Sequence, residues 1–173
     1  MEFLALSLVL AAIVLILVGT IRTGVPPMPT SPAVRACMFT VIEGLEPRCI
    51  HELGAGWGGL ATALARRFPD ARGIATEVSP LPWAVCRLRQ VLFGPANLEV
   101  RFGDILKTDF SDADLAVCFL CPPAMTKLAG RLEDGLKPGA WVLSNAFALP
   151  GWTPVKEARV DDLHRSAVYL YRK

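Results

Sequence analysis

The residues best suited to chemistry are a run of glycines set between two acids. Glu52, Gly54, Gly56 and Gly59 fall in "HELGAGWGGLATALARR", and Glu77 closes the next apolar run, "GIATEV". Glycine carries no side chain, so Gly54 permits a tight turn and Gly56 lets a ligand approach the main chain. The alanine- and leucine-rich stretch that follows predicts a helix over 57–67, whose unpaired N–H groups point at whatever sits in the turn.

This spacing satisfies the dinucleotide-binding fingerprint, with Glu77 placed as a ribose-binding acid. Alone it leaves open a nicotinamide dinucleotide, S-adenosylmethionine or a plain glycine-rich turn. Three features favour S-adenosylmethionine. Glu52, two residues before Gly54, makes the pattern Glu-x-Gly-x-Gly; a carboxylate there suits a ligand with an amino-acid end and a cationic sulfonium, and repels a pyrophosphate. Asp104, in "FGD" at the end of a predicted strand, is placed to accept a hydrogen bond from an adenine amino group. The chain also reads as a single domain, where a nicotinamide enzyme of this sort is expected to need a second region for its substrate.

The elements that must position these residues alternate. Strand "CIHEL" leads to the helix over 57–67, "GIATEV" to a helix opened by Ser79 and Pro80, and "LEVRFGD" to a polar turn. Strand "DLAVCFL" is followed by a helix over 124–136 and strand "AWVLSNAF". Short apolar strands alternating with helices predict a parallel sheet covered on both faces. "TPVKEARV" and "SAVYLYRK" are too close together for a crossover helix and are expected to pair antiparallel at the sheet edge.

The 173 residues are 53% hydrophobic and 20% charged, and part of that excess is local. Residues 3–21 contain no charge and no proline, a length that just crosses a hydrocarbon core of roughly 30 Å. A transmembrane anchor over 1–22 is the expectation; the rival is a secretory signal peptide, against which stand the absence of an early Lys or Arg and of an Ala-x-Ala site. Arg22 and Arg35 follow the span, so a single-pass protein with its domain on the cytoplasmic side, or the equivalent organellar side, is expected. Four prolines in "VPPMPTSP" make residues 23–32 a stiff linker, and Ser31 with Pro32 reads as the start of a helix. Residues 33–173 form the remaining domain.

A net charge of +2, with no cluster of Lys and Arg interleaved with aromatics, argues against a nucleic-acid partner. Five cysteines at irregular spacings are no disulfide framework. Cys118 and Cys121 are expected on opposite faces of a strand, without the partners a metal site requires, so no metal is expected. His51 and His164 read as packed or solvated, Asp161 and Asp162 as a hairpin turn, and Trp83 with "RLR" as an amphipathic helix whose arginines face water.

"HELGAGWGG", "TEVSP", "FGDI" and the carboxyl-terminal hairpin together resemble a class I S-adenosylmethionine-dependent methyltransferase. The likeness covers nearly everything after Pro32 and implies a Rossmann-like α/β sheet of order 3-2-1-4-5-7-6, its last pair antiparallel. "PMPTSP", "LPWAVCRLR", "CFLCPPAM" and "VLSNAFALPGW" are similar, more narrowly, to the small membrane-anchored protein-lysine methyltransferases. Eukaryotic members of that group act on the adenine nucleotide translocase and on the c component of ATP synthase. The resemblance implies that Glu52, Gly54, Ala55, Gly56, Trp57 and Gly58 surround the methionine portion of the cofactor. It places Glu77 on the ribose, Asp104 and Ile105 on the adenine, and Leu120, Cys121, Pro122 and Pro123 before the methyl group. Many nucleic-acid and glutamine methyltransferases carry Asn or Asp before Pro-Pro; Cys121 stands there in this chain.

Methyl transfer from a sulfonium requires positioning and no obligatory acid–base pair, so no catalytic side chain is assigned. A lysine acceptor must be neutral, and Phe119, Phe147 and Trp152 are candidates for an apolar channel that lowers its pKa, with core packing as the alternative. The reading is a membrane-anchored transferase that methylates a lysine of a membrane protein. Its alternatives are a small-molecule or lipid-headgroup methyltransferase and a non-catalytic cofactor-binding module.

Overall fold

The computed structural model describes residues 2–24, 28–162 and 165–173. The side chains at positions 2, 5, 8, 11, 12, 22 and 23 also lie outside the description, as does His164. Helix α1 spans Glu2–Thr23 and α2 Pro32–Val41. The remaining elements are β1 (Cys49–Leu53), α3 (Gly59–Arg67), β2 (Arg72–Glu77), α4 (Pro80–Phe93), β3 (Leu98–Phe102), β4 (Leu115–Cys118), α5 (Pro122–Gly135), β5 (Trp141–Asn145), β6 (Lys156–Arg159) and β7 (Ala167–Arg172).

The seven strands form one sheet in the order β3-β2-β1-β4-β5-β7-β6. The first five pair in parallel, and β7 runs antiparallel to both β5 and β6. The expected topology is therefore present, with β7 inside the sheet and β6 as its edge. All five residues of β1 and all four of β4 are buried, as strands covered on both faces must be.

Side-chain alternation sorts the core into two layers. On one face, Val34, Met38 and Val41 of α2 and Leu60 and Leu64 of α3 meet Ile50, Leu115, Val117 and Leu143. Farther along the same face, Ala61 and Ala65 of α3 and Cys86 of α4 enclose Ala75, Leu98 and Val100. The opposite face is covered by Met125, Leu128 and Leu132 of α5 with Phe110, packed on Leu53, Ala116, Cys118, Val142 and Tyr171.

Helix starts follow local chemistry. The Ser31 hydroxyl accepts the Val34 N–H at 3.2 Å, and Pro32 occupies the first turn of α2. Ser79 precedes α4 without a side-chain cap. Helix α5 begins at Pro122, earlier than expected, because two prolines suit a first turn whose N–H groups have no intrahelical partner. Strand β4 ends at Cys118, so Cys121 caps α5 and is not a strand residue. The strand alternation expected of Cys118 and Cys121 does not apply, and both are free thiols.

Among the described residues, no helix is long and apolar enough to cross a membrane. The span expected over residues 3–21 includes positions whose side chains lie outside the description, and the anchor expectation finds no support in the fold. Of the α1 side chains described, Phe3, Leu4, Val9, Leu10 and Ile13 are exposed, whereas Gly19 is buried near the start of α4.

Candidate active site

The glycine turn is hung between two strand ends. Gly54 and Ala55 donate their N–H groups to the Thr76 carbonyl at 2.9 and 3.0 Å. Gly56 donates to Glu77 Oε2 at 2.7 Å, and Glu77 Oε1 accepts the Ser79 N–H at 2.7 Å. One carboxylate thus ties the turn after β1 to the turn after β2. Gly54 and Gly56 adopt φ of +87° and +52°, the left-handed region that favours glycine. A Cβ on Gly54 would lie 2.8 Å from Leu120 Cδ2, whereas one on Gly56 would meet nothing within 4 Å. Open space above Gly56 is the room a ligand needs to reach the backbone.

That space is a cavity of about 370 Å³ at the carboxyl ends of the parallel strands. Small-molecule sites start at roughly 300 Å³, and in open α/β sheets they lie at this edge. Glu52, Gly54, Ala55, Gly56, Trp57 and Glu77 line it. Asp104 and Ile105 contribute from beyond β3, and Leu120 and Pro123 from the start of α5. The structure therefore brings together, from four strand ends, residues that lie far apart in the sequence and were each expected at the site.

Burial sets the electrostatics. Glu52 is 6% exposed, and its Oε2 has no hydrogen-bond partner. Burial, followed by the charge of Glu77, holds its carboxyl well above the ordinary carboxylate value. An orphaned acid oxygen of this kind fits a ligand that supplies both a donor and a positive charge. Asp104 Oδ1 accepts the Leu106 N–H at 2.9 Å, which fixes the carboxylate at the cavity wall.

Four expected site residues fall elsewhere. Gly58, at φ +77°, faces α4; a Cβ there would lie 2.4 Å from Cys86 Sγ, so this glycine serves helix packing. Cys121 and Pro122 are outside the lining, because the α5 start directs Pro123 and Ala124 inward instead. Trp152 packs edge-on against Tyr171, with ring centroids 6.1 Å apart, beside the α5 core. Phe147 is also absent from the wall, which leaves Phe119 as the only member of the expected aromatic channel in it.

Several wall residues had no sequence signal. Arg89, exposed as helix periodicity predicts, donates to the Trp57 carbonyl at 3.3 Å and also borders the cavity. Lys127 lies one turn beyond Pro123 on α5. Met28, Pro29 and Thr30 come from the linker. Away from this site, Cys49, His51 and Asp112 bring three polar groups within 4.8 Å of one another. His51 Nε2 is 2.8 Å from Asp112 Oδ1 and Cys49 Sγ donates to Oδ2 at 3.4 Å. The Arg72 guanidinium, 3.8 Å from the same carboxylate, already supplies positive charge there.

Residues 52–156 match the ANTKMT methyltransferase domain, which is more than half of the chain. The chain belongs to that family. A protein-lysine N-methyltransferase of Saccharolobus islandicus is 28% identical over 157 residues, covering 85% of this chain and 92% of that protein. A lysine N-methyltransferase of Rattus norvegicus, named for the C component of ATP synthase, is 29% identical over 135 residues, covering 73% of this chain and 59% of that protein. This ANTKMT-family chain thus spans nearly all of the Saccharolobus relative and somewhat more than half of the rat one. Among solved structures, an RNA methyltransferase of Salinibacter ruber bound to S-adenosyl-L-homocysteine shares 29% identity at a TM-score of 0.74, over 84% of this chain and 93% of that one. A precorrin-6y C5,15-methyltransferase of Geobacter metallireducens, 16% identical at a TM-score of 0.66 over 84% of this chain and 91% of that one, shares the fold. This ANTKMT-family protein is an S-adenosylmethionine-dependent methyltransferase.

Proposed function

We propose that the protein transfers a methyl group to a lysine side chain of a protein acceptor. The observation that carries this reading is the family match together with relatives named for lysine methylation. The cavity geometry is consistent with it. S-Adenosylmethionine supplies an activated methyl on a cationic sulfonium. Glu52 faces the positive end of the cofactor, Glu77 accepts from the ribose, and Asp104 with Ile105 borders the adenine. Gly54, Ala55, Gly56 and Trp57 give the backbone surface against the methionine portion.

On the acceptor side, Phe119, Leu120, Pro123 and Ala124 form an apolar wall. Such a wall disfavours an ammonium and favours the neutral amine that attacks. The acceptor ammonium would give its proton to solvent before attack, and its nitrogen lone pair would take the methyl as the methyl–sulfur bond breaks and neutral adenosylhomocysteine leaves. Catalysis consists of holding amine and methyl in line, an effect that supplies roughly 7–11 kcal/mol. Residues 33–173 are the catalytic unit in this reading, and 23–32 the linker. Residues 1–22 attach the chain to a membrane through the apolar side chains of α1, among them the exposed Phe3, Leu6, Leu10 and Leu17, which places a membrane-associated acceptor within reach.

The test incubates the full-length protein with cofactor labelled in its methyl group and membranes from its own source. Label on lysine in protein digests is expected, with the protein resisting extraction by high-pH carbonate. Label confined to lipid, RNA or small molecules overturns the lysine acceptor, and release by carbonate overturns membrane attachment.

A further inference from the structure

The family domain matched begins at residue 52, yet the cavity wall does not. Met28, Pro29 and Thr30 line the same space as Glu52, Gly56 and Glu77. The described elements on either side of this segment are held in place. On its carboxyl side, Ser31 accepts the Val34 N–H and fixes the start of α2. On its amino side, α1 packs against the beginning of α4: Gly19 is buried, and a Cβ there would lie 3.4 Å from Ser79 Oγ and 3.6 Å from its Cβ. Ser79 is the residue whose N–H binds Glu77 Oε1 at 2.7 Å. Contact with α1 therefore reaches the acid assigned to the ribose through one serine. Pro29 and Pro32, each with a fixed φ, limit the paths the chain can take across the opening.

We propose that residues 28–30 form a wall of the cofactor pocket, and that seating of α1 on Ser79 and binding of the cofactor reinforce one another. The inference rests on the assignment of the cofactor to this cavity. Met28 and Pro29 offer a thioether and an aliphatic ring to a nucleoside face, and Thr30 a hydroxyl. Because linkage is reciprocal, whatever seats α1 raises cofactor affinity, and a bound cofactor holds α1 and the strap in place. In this arrangement the segment preceding the family domain tunes the donor site, and attachment of α1 to a surface is felt at the glycine turn.

The experiment titrates adenosylhomocysteine by calorimetry into the full-length, detergent-solubilised protein. Gly19→Val, whose γ carbons extend beyond a Cβ already in contact with Ser79, and the pair Met28→Ala with Pro29→Gly are each expected to weaken binding on the order of 5- to 30-fold. Leu10→Ala, far along α1, is expected to leave affinity unchanged. Hydrogen exchange on the wild type gives a readout independent of variant folding: saturating adenosylhomocysteine is expected to slow the amides of Met28 and Thr30. Wild-type affinity in the Gly19 and strap variants with unprotected amides, while Glu77→Ala is weakened, overturns the strap alone. Wild-type affinity in all three overturns the cavity assignment and the strap with it.

Discussion

Glu77 holds Gly56. The Gly56 N–H donates to Glu77 Oε2 at 2.7 Å, while the other carboxylate oxygen accepts the Ser79 N–H at the same distance. An acid read from sequence as a ribose ligand is therefore also the brace of the glycine turn. Both oxygens retain a second lone pair for incoming hydroxyls, so bracing and binding are compatible.

Replacing Glu77 removes the brace and, on the proposed assignment, a contact to the ribose. Glu77→Ala is expected to lose about 1.5–3 kcal/mol of cofactor binding for each charged hydrogen bond forfeited, on the order of 10- to 100-fold or more in Kd. Glu77→Gln keeps one carbonyl oxygen but turns an NH₂ toward a backbone donor, and is expected to lie between. Calorimetric titration with adenosylhomocysteine checks this, and a wild-type Kd in Glu77→Ala removes the ribose assignment.

Gly56 and Gly58, two residues apart, are expected to fail differently. Both have positive φ, so alanine costs about 1–2 kcal/mol of backbone strain at either. At Gly58 the new Cβ also collides with Cys86 Sγ, adding about 1–3 kcal/mol and lowering Tm at about 2–4 °C per kcal/mol. At Gly56 the Cβ enters open cavity, so the larger loss is in cofactor affinity. Thermal melts paired with titrations separate the two. Gly58→Ala melting like wild type would show that the packing argument is misplaced.

The sheet was readable because each buried parallel strand is a short apolar run, and the run after it differs in period. The glycine turn was readable because glycine adopts the positive φ at 54 and 56 without the strain other residues incur. What could not be read were contacts between residues distant in the chain. Gly58 meets Cys86 only because α3 and α4 share a face, and nothing in "GWGG" reports that. Trp152, in a turn-rich stretch, is drawn from the cavity by Tyr171, whose place depends on the antiparallel register of β7. The linker composition announced stiffness but not where the stiff segment lies, so residues 28–30 were missed. Trimming of β4 at Cys118 shifted Cys121 and Pro122 out of the wall by the same logic: the element was correct and its end was not.

His51 is expected to make the fold acid-sensitive above the range of its carboxylates. Burial lowers its pKa below 6.5, against the opposing pull of Asp112, so the native imidazole is neutral. Below about pH 6.5 the unfolded chain takes up a proton that the native state refuses, and stability falls with pH until the native value is reached. Glu99, held down at about 2 by Arg101 and Arg72, adds its own loss only below its ordinary value near 4.5. Melts between pH 7 and 5 are expected to show declining Tm in wild type and a flatter profile in His51→Asn. Parallel profiles would remove His51 from the account.

Glu52 carries the opposite sign. Its native pKa is raised by burial and by Glu77, so the ligand-free protein loses stability as pH rises through the unfolded value near 4.5 toward the native one, and keeps that penalty above it. A ligand bringing positive charge reverses the balance and drives the proton off. Affinity for S-adenosylmethionine is therefore expected to rise with pH up to the native pKa of Glu52, by at most about tenfold per pH unit. Calorimetry in two buffers of different ionisation heat counts the proton released. Glu52→Gln is expected to abolish that release, flatten the pH profile and weaken binding, while raising the Tm of the ligand-free protein at pH 8. Proton release that persists in the variant would mean that the titrating group is another residue, and that Glu52 is already ionised before the cofactor arrives.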